Sequence, residues 1–85
     1  MFYTYILYSA ILDRFYIGYT AGTVELRLTK HLLSKKGFTS KAKDWKIVYT
    51  EVFGNKLAAM QRESQLKSWK NRTRIEELIN RSSIE

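Results

Sequence analysis

"FYTYILYS", Phe2–Ser9, decides the fold. The stretch is almost wholly apolar or aromatic. Side chains of a strand alternate between faces, so Phe2, Thr4, Ile6 and Tyr8 share one face and Tyr3, Tyr5, Leu7 and Ser9 the other. Neither face is polar enough for solvent. A strand of that kind sits inside a sheet and is covered on both sides. "AILDR" follows as a connection of hairpin length. "FYIGYT", Phe15–Thr20, then returns as a second strand, antiparallel to the first. Gly18 interrupts that aromatic run. Glycine in a strand costs conformational entropy and offers nothing to pack, so it marks a bulge or a close approach by another group.

The period then changes. "TVELRLTKHLLSKKG" reads as a helix with Thr23 as N-cap, Glu25 in its first turn, Lys35 and Lys36 in its last, and Gly37 as the stop. "GFTSKAKD" is a basic polar loop. "WKIVYTEVF", Trp45–Phe53, alternates and is rich in β-formers, which predicts a third strand. Asn55 is placed to cap a second helix running to about Trp69. Thr73 and Glu76 form the T-x-x-E of a capping box, opening a third helix to about Arg81. The predicted fold is α+β: a small three-stranded antiparallel sheet flanked by three helices, in the order β-β-α-β-α-α.

The length of 85 residues suits one domain, taken as 1–85. There is no cysteine and one histidine, which argues against disulfides and against a zinc site. No run is long and apolar enough to span a membrane, and no secretory signal pattern opens the chain. The expected compartment is the cytoplasm, with no membrane partner. The formal charge is +7, from 15 Lys and Arg against 8 Asp and Glu. That excess is the footprint of a polyanion binder. A phosphate-cradling G-x-x-x-x-G-K, a dinucleotide fingerprint and a G-x-S-x-G elbow are all missing.

The residues left to do chemistry are few. Arg27 and His31, four apart, share a helix face at the margin of the Val24–Leu28–Leu32 stripe. That margin suits a semi-buried cation meeting an anion; it equally suits a histidine at the core edge and an ordinary ion pair. Tyr3, Tyr5 and Tyr16 lie in the paired strands, where tyrosines usually pack. A phenol accepts a proton only if its pKa of about 10 is lowered, and Arg27 is the cation available to lower it. Glu63 lies mid-helix beside the Ala59 and Leu66 face. One carboxylate there can hold Mg²⁺ with water and substrate phosphate, or pair with Lys67 at i,i+4. Lys35, Lys36, Lys41, Lys43 and Lys46 surround Phe38 and Trp45. Such lysines contact phosphate without reading sequence, and exposed aromatics stack on unpaired bases; Trp45 also reads as an anchor of the third strand.

Together these segments resemble the GIY-YIG nuclease superfamily, especially its small single-domain branch. "YTYIL" resembles the first motif, with only its last tyrosine kept, and "YIG", Tyr16–Gly18, the second. "RLTKH", Arg27–His31, and "AAMQRESQLKSW" carry the rest, and the resemblance runs from about Phe2 to Leu78. It implies a metal-dependent DNA endonuclease, structure-selective or weakly sequence-specific. Tyr5, Tyr16, Arg27, His31 and Glu63 become the implied catalytic residues. Glu63 becomes the holder of a divalent ion, Mg²⁺ in the first place and Mn²⁺ as the alternative. Tyr5 is the implied proton acceptor, and Arg27 the stabiliser of phosphoryl charge. Gly18 is expected to leave room beside Tyr16 for the substrate backbone or the Arg27 helix. Asn71 and Asn80 are candidates for an asparagine that larger members carry near the site. The implied partner is DNA, with RNA still open and a protein partner conceivable for targeting. The alternative is a catalytically weak nucleic-acid-binding module of the same fold, or a partner-dependent subunit.

Overall fold

The computed structural model of the chain describes residues 1–82; the last three positions of the 1–85 domain lie outside the described residues. The elements are β1 Phe2–Ser9, β2 Arg14–Thr20, α1 Val24–Leu33, a short 3-10 turn Phe38–Lys41, β3 Lys46–Phe53, α2 Lys56–Trp69 and α3 Arg72–Ser82. The sheet is antiparallel throughout, in the order β2-β1-β3. The doubly apolar strand is therefore central, as its composition requires. Thr4, Tyr5, Ile6 and Leu7 are all buried.

Each face of β1 makes its own core. Tyr5 and Leu7 pack with Val24, Ala42 and Trp45 under α1 and the loop after it. Ile6 packs with Leu66 and Ile75 under α2 and α3. Thr4 points to that second face, and its hydroxyl donates to the Ala59 carbonyl at 2.7 Å. A buried hydroxyl without a partner would be costly; this one ties β1 to α2. The register between β1 and β3 slips between Ile6 and Leu7. A bulge of that kind bends the strand locally and strengthens its twist.

The helix starts follow the caps, with one correction. Thr23 Oγ1 accepts from the Leu26 N–H, and Asn55 Oδ1 from the Ala58 N–H. The third helix starts earlier than the Thr73–Glu76 box predicts. Asn71 Oδ1 accepts from the Arg74 N–H at 3.3 Å, so Asn71 is the cap and Thr73 is inside the helix. Glu76 is turned to Arg72 instead, at 3.1 Å. The first helix also ends early, at Leu33. The Ser34 N–H turns back to the His31 carbonyl, and Lys43 Nζ donates to the Ser34 carbonyl at 2.8 Å. Lys35, Lys36 and Gly37 thus belong to the loop, where Gly37 adopts φ +84°. Among the described residues no helix is long and apolar enough to cross a membrane.

Candidate active site

A cleft of about 420 Å³ lies along β2, one of the two edge strands. Because β2 is an edge, helices on opposite faces of the sheet can both reach its rim. Arg27 and Lys30 come from α1, Lys56 and Glu63 from α2, and Tyr5, Tyr16 and Gly18 from the paired strands. Residues as far apart in the chain as Tyr5 and Glu63 thus line one hollow. A second hollow of about 210 Å³ shares Tyr16, Arg27 and Lys30 with the first and adds His31, Lys36 and Phe38.

Tyr5 is the centre of this arrangement. It is 1% exposed, and its hydroxyl lies 2.8 Å from His31 Nε2. The other ring nitrogen, Nδ1, lies 3.0 Å from the Thr39 hydroxyl. Thr39 is fixed in turn, since its carbonyl accepts from the indole N–H of the buried Trp45 at 2.9 Å. Phenol, imidazole and hydroxyl form one buried chain. The Tyr16 ring meets His31 edge-on, with centroids 4.9 Å apart.

The electrostatics of the chain differ from the simplest expectation. Burial pushes the Tyr5 phenol up to about 12, while the Arg27 guanidinium beside it pulls the other way and loses. The Arg27 charge acts in the expected direction, but desolvation of a phenolate in the core is larger. Burial also lowers the His31 pKa, and Arg27 lowers it further. At neutral pH the pair is a protonated phenol facing a neutral imidazole.

Gly18 also has a different task from the one expected. It pairs with Tyr5 across β1 and β2. A Cβ at Gly18 would lie 2.6 Å from Tyr5 Oη, 2.7 Å from Tyr5 Cζ and 3.2 Å from Tyr16 Cε2. The room it leaves is occupied by the Tyr5 phenol itself.

The remaining sequence candidates divide clearly. Glu63 is half-buried beside Ala59 and Leu66, and it pairs with Lys67 at 3.4 Å. Lys36 lines the second hollow, and Lys41 Nζ lies over the Phe38 ring. Lys35 is exposed in the loop and Lys43 is bonded to Ser34. Lys46 lines a separate hollow with Tyr8 and Arg72, as does Asn80. Asn71 caps α3 and lines a further hollow beside β2, outside the cleft. Three site residues were not found from sequence. Lys30 carried a usable signal, since it lies three positions after Arg27 on the same helix face. Lys56 and Thr39 reach the site only through the tertiary fold.

The family model for the GIY-YIG catalytic domain matches residues 1–76. The chain belongs to the GIY-YIG family. Neither a curated protein nor a solved structure matches it. Membership makes this a nuclease-family domain, and nucleic acid its expected binding partner. GIY-YIG nucleases generally depend on a divalent metal ion. Among the described residues no group of three or more His, Cys, Asp or Glu converges. The lone cleft carboxylate therefore does not suit a closed structural metal site. It does suit Mg²⁺, which is commonly held by one or two carboxylates with water and substrate phosphate completing the shell. The Lys67 pair is a small obstacle. The Lys67 side chain is itself more than half exposed, and i,i+4 helix ion pairs are worth only about 0.3–0.5 kcal/mol.

Proposed function

We propose that the GIY-YIG domain is a Mg²⁺-dependent endonuclease that hydrolyses phosphodiester bonds of DNA with weak sequence preference. One observation carries the reading: Tyr5, Tyr16, Arg27 and Glu63, far apart in the chain, line a single cationic cleft. Glu63 would hold a divalent ion, which when bound would supply Lewis-acid polarisation of the scissile phosphate.

The chain's own groups account for proton movement. A phenol with a pKa of about 12 is a poor base by itself. It accepts the proton of the attacking water as its own proton passes to neutral His31 Nε2, 2.8 Å away. In the tautomer whose Nδ1–H donates to the Thr39 hydroxyl, 3.0 Å away, Nε2 is free to receive it. The water oxygen forms the new P–O bond and the bond to the leaving oxygen breaks. Solvent protonates that oxygen and later takes the proton from His31. Arg27 neutralises charge growing on the non-bridging oxygens, a preorganised contribution that removal of one donor typically reveals as about 10²–10³ in rate. Lys30 and Lys56 hold flanking phosphates at the two walls.

The test is a cleavage panel of single-stranded, nicked, branched and duplex DNA, with Mg²⁺ or with chelator. Cutting that requires metal and falls at least about 100-fold in Arg27→Ala supports the reading. No cutting of any substrate, or full activity in Arg27→Ala, overturns it.

A further inference from the structure

Phe38, at 37%, is the most exposed of the chain's aromatic residues. It opens the 3-10 turn after Gly37 and stands at the rim of the second hollow. Its ring runs nearly parallel to Tyr16, at 14° with centroids 6.4 Å apart. Trp45 supports it from the core side at 5.8 Å. The aromatic surface thus continues from the cleft into solvent. Cations follow the same path: Arg27 and Lys30 border both hollows, and Lys36 borders the second. Lys41 Nζ lies 5.2 Å from the centre of the Phe38 ring.

An exposed aromatic in a row of cations is the arrangement by which proteins hold a strand with unpaired bases. The spacing has a direct consequence. Arg27 borders both hollows, so a phosphate drawn to it leaves the neighbouring nucleotide free to lie over the second, which Lys36 also borders. A base there meets Phe38 by its flat face. It can do so only if it has left its duplex, since a paired base offers only its edge. Lys41 already rests on that ring through a cation–π contact. A stacking base replaces that contact and releases the ammonium to the same nucleotide's phosphate.

We infer that Phe38 is a stacking platform for one unpaired base beside the scissile phosphate, so that the domain selects DNA that is single-stranded or frayed at the cut. This rests on the nuclease reading for where the strand lies. It assigns Phe38 as a specificity residue, with no part in bond breaking.

The test separates the two. A short single strand carrying 2-aminopurine, and the same strand annealed to its complement, are titrated with protein in chelator, where no cutting occurs. Wild type is expected to quench the unpaired analogue and bind the single strand about tenfold tighter than Phe38→Leu, within the range measured for one stacked base. Duplex affinity should change less than about twofold, because phosphate contacts dominate it. Phe38→Leu keeps an apolar side chain over Trp45, and Phe38→Trp should restore quenching. Equal single-strand affinity and quenching in Phe38→Leu and wild type would overturn the inference. So would an equal loss on both substrates. If stacking is found but no DNA is ever cut, the nuclease reading fails alone. If DNA is cut and Phe38 is indifferent, the stacking inference fails alone.

Discussion

Replacing Gly18 by alanine tests the centre of the site with a single methyl group. Gly18 does not have the left-handed φ that Gly37 has, so its backbone does not require glycine. Only the neighbour does. The added carbon would lie 2.6 Å from Tyr5 Oη and 2.7 Å from Cζ, against an optimum of about 3.5–4.0 Å for carbon contacts. The phenol must retreat by roughly 1 Å, and it is 1% exposed, with a packed core around it. Retreat pulls Oη away from His31 Nε2, now at 2.8 Å. Overpacking of this kind costs about 1–3 kcal/mol. Alanine recovers about 0.5–1 kcal/mol of that over glycine in a strand. The net loss of stability should be no more than about 2.5 kcal/mol, which a domain of ordinary stability survives. Cleavage should suffer far more, because general acid–base groups contribute about 10²–10⁴ in rate. The assay pairs urea unfolding with single-turnover cleavage. The unfolding measurement is repeated in a Tyr5→Leu background, where the methyl group meets no phenol and its stability cost should shrink. Wild-type activity in Gly18→Ala, or an undiminished stability cost in the Tyr5→Leu background, would refute the proposed contact.

Four further outcomes follow, three from the same site and one from the exposed Asp13–Arg72 ion pair. His31 must be neutral to receive a proton, and burial holds its pKa below 6.5; the cleavage rate should therefore persist at pH 6.5 and fall only at more acidic pH. The same depressed pKa means that its contribution to stability is present above 6.5 and lost as pH falls, whereas Tyr5, raised from 10.0 to about 12, loses its contribution as pH rises through that interval. Both are read by urea unfolding across pH. Thr39→Val keeps the shape but leaves His31 Nδ1 buried without a partner; it should cost about 1–3 kcal/mol and slow cleavage, while Thr39→Ser should restore both. Asp13 is held at about 2 by Arg72 and Tyr8, so wild type should lose stability as pH falls from 3.8 towards 2, and Arg72→Ala should lose most of that acid dependence in the same unfolding assay.

Most of the fold was legible because period and composition agree with packing. Phe2–Ser9 has no polar face, and it became the covered central strand. The helix ends were less legible, since competing local signals are decided by distant contacts. Asn71 and Thr73 are both good caps, and the earlier one prevailed where Ile75 docks against Ile6 and Leu66. Lys35, Lys36 and Gly37 resemble a helix end, yet the chain leaves at Ser34, which lets Thr39 reach back to His31. The five candidate residues were found through a family resemblance carried by spaced motifs. The direction of the Tyr5 pKa was not legible, since the cation is visible in sequence and the depth of burial is not. The anchoring role of Trp45 beside the basic loop was legible and it is buried, whereas the exposure of Phe38 was not legible. Their placement was settled by the Trp45–Thr39 hydrogen bond in the core.

As the proposed metal-holding carboxylate of a phosphodiesterase, Glu63 is the residue on which cutting should depend most directly. The most direct measurement is the single-turnover cleavage rate of one DNA substrate across a Mg²⁺ titration, for wild type, Glu63→Gln and Lys67→Met. The expected result is metal-dependent cutting by wild type and a loss of at least about 100-fold in Glu63→Gln. Lys67→Met should reach half-maximal rate at equal or lower Mg²⁺, because it frees the carboxylate. Cutting by Glu63→Gln at the wild-type rate and with the wild-type metal dependence would contradict that role.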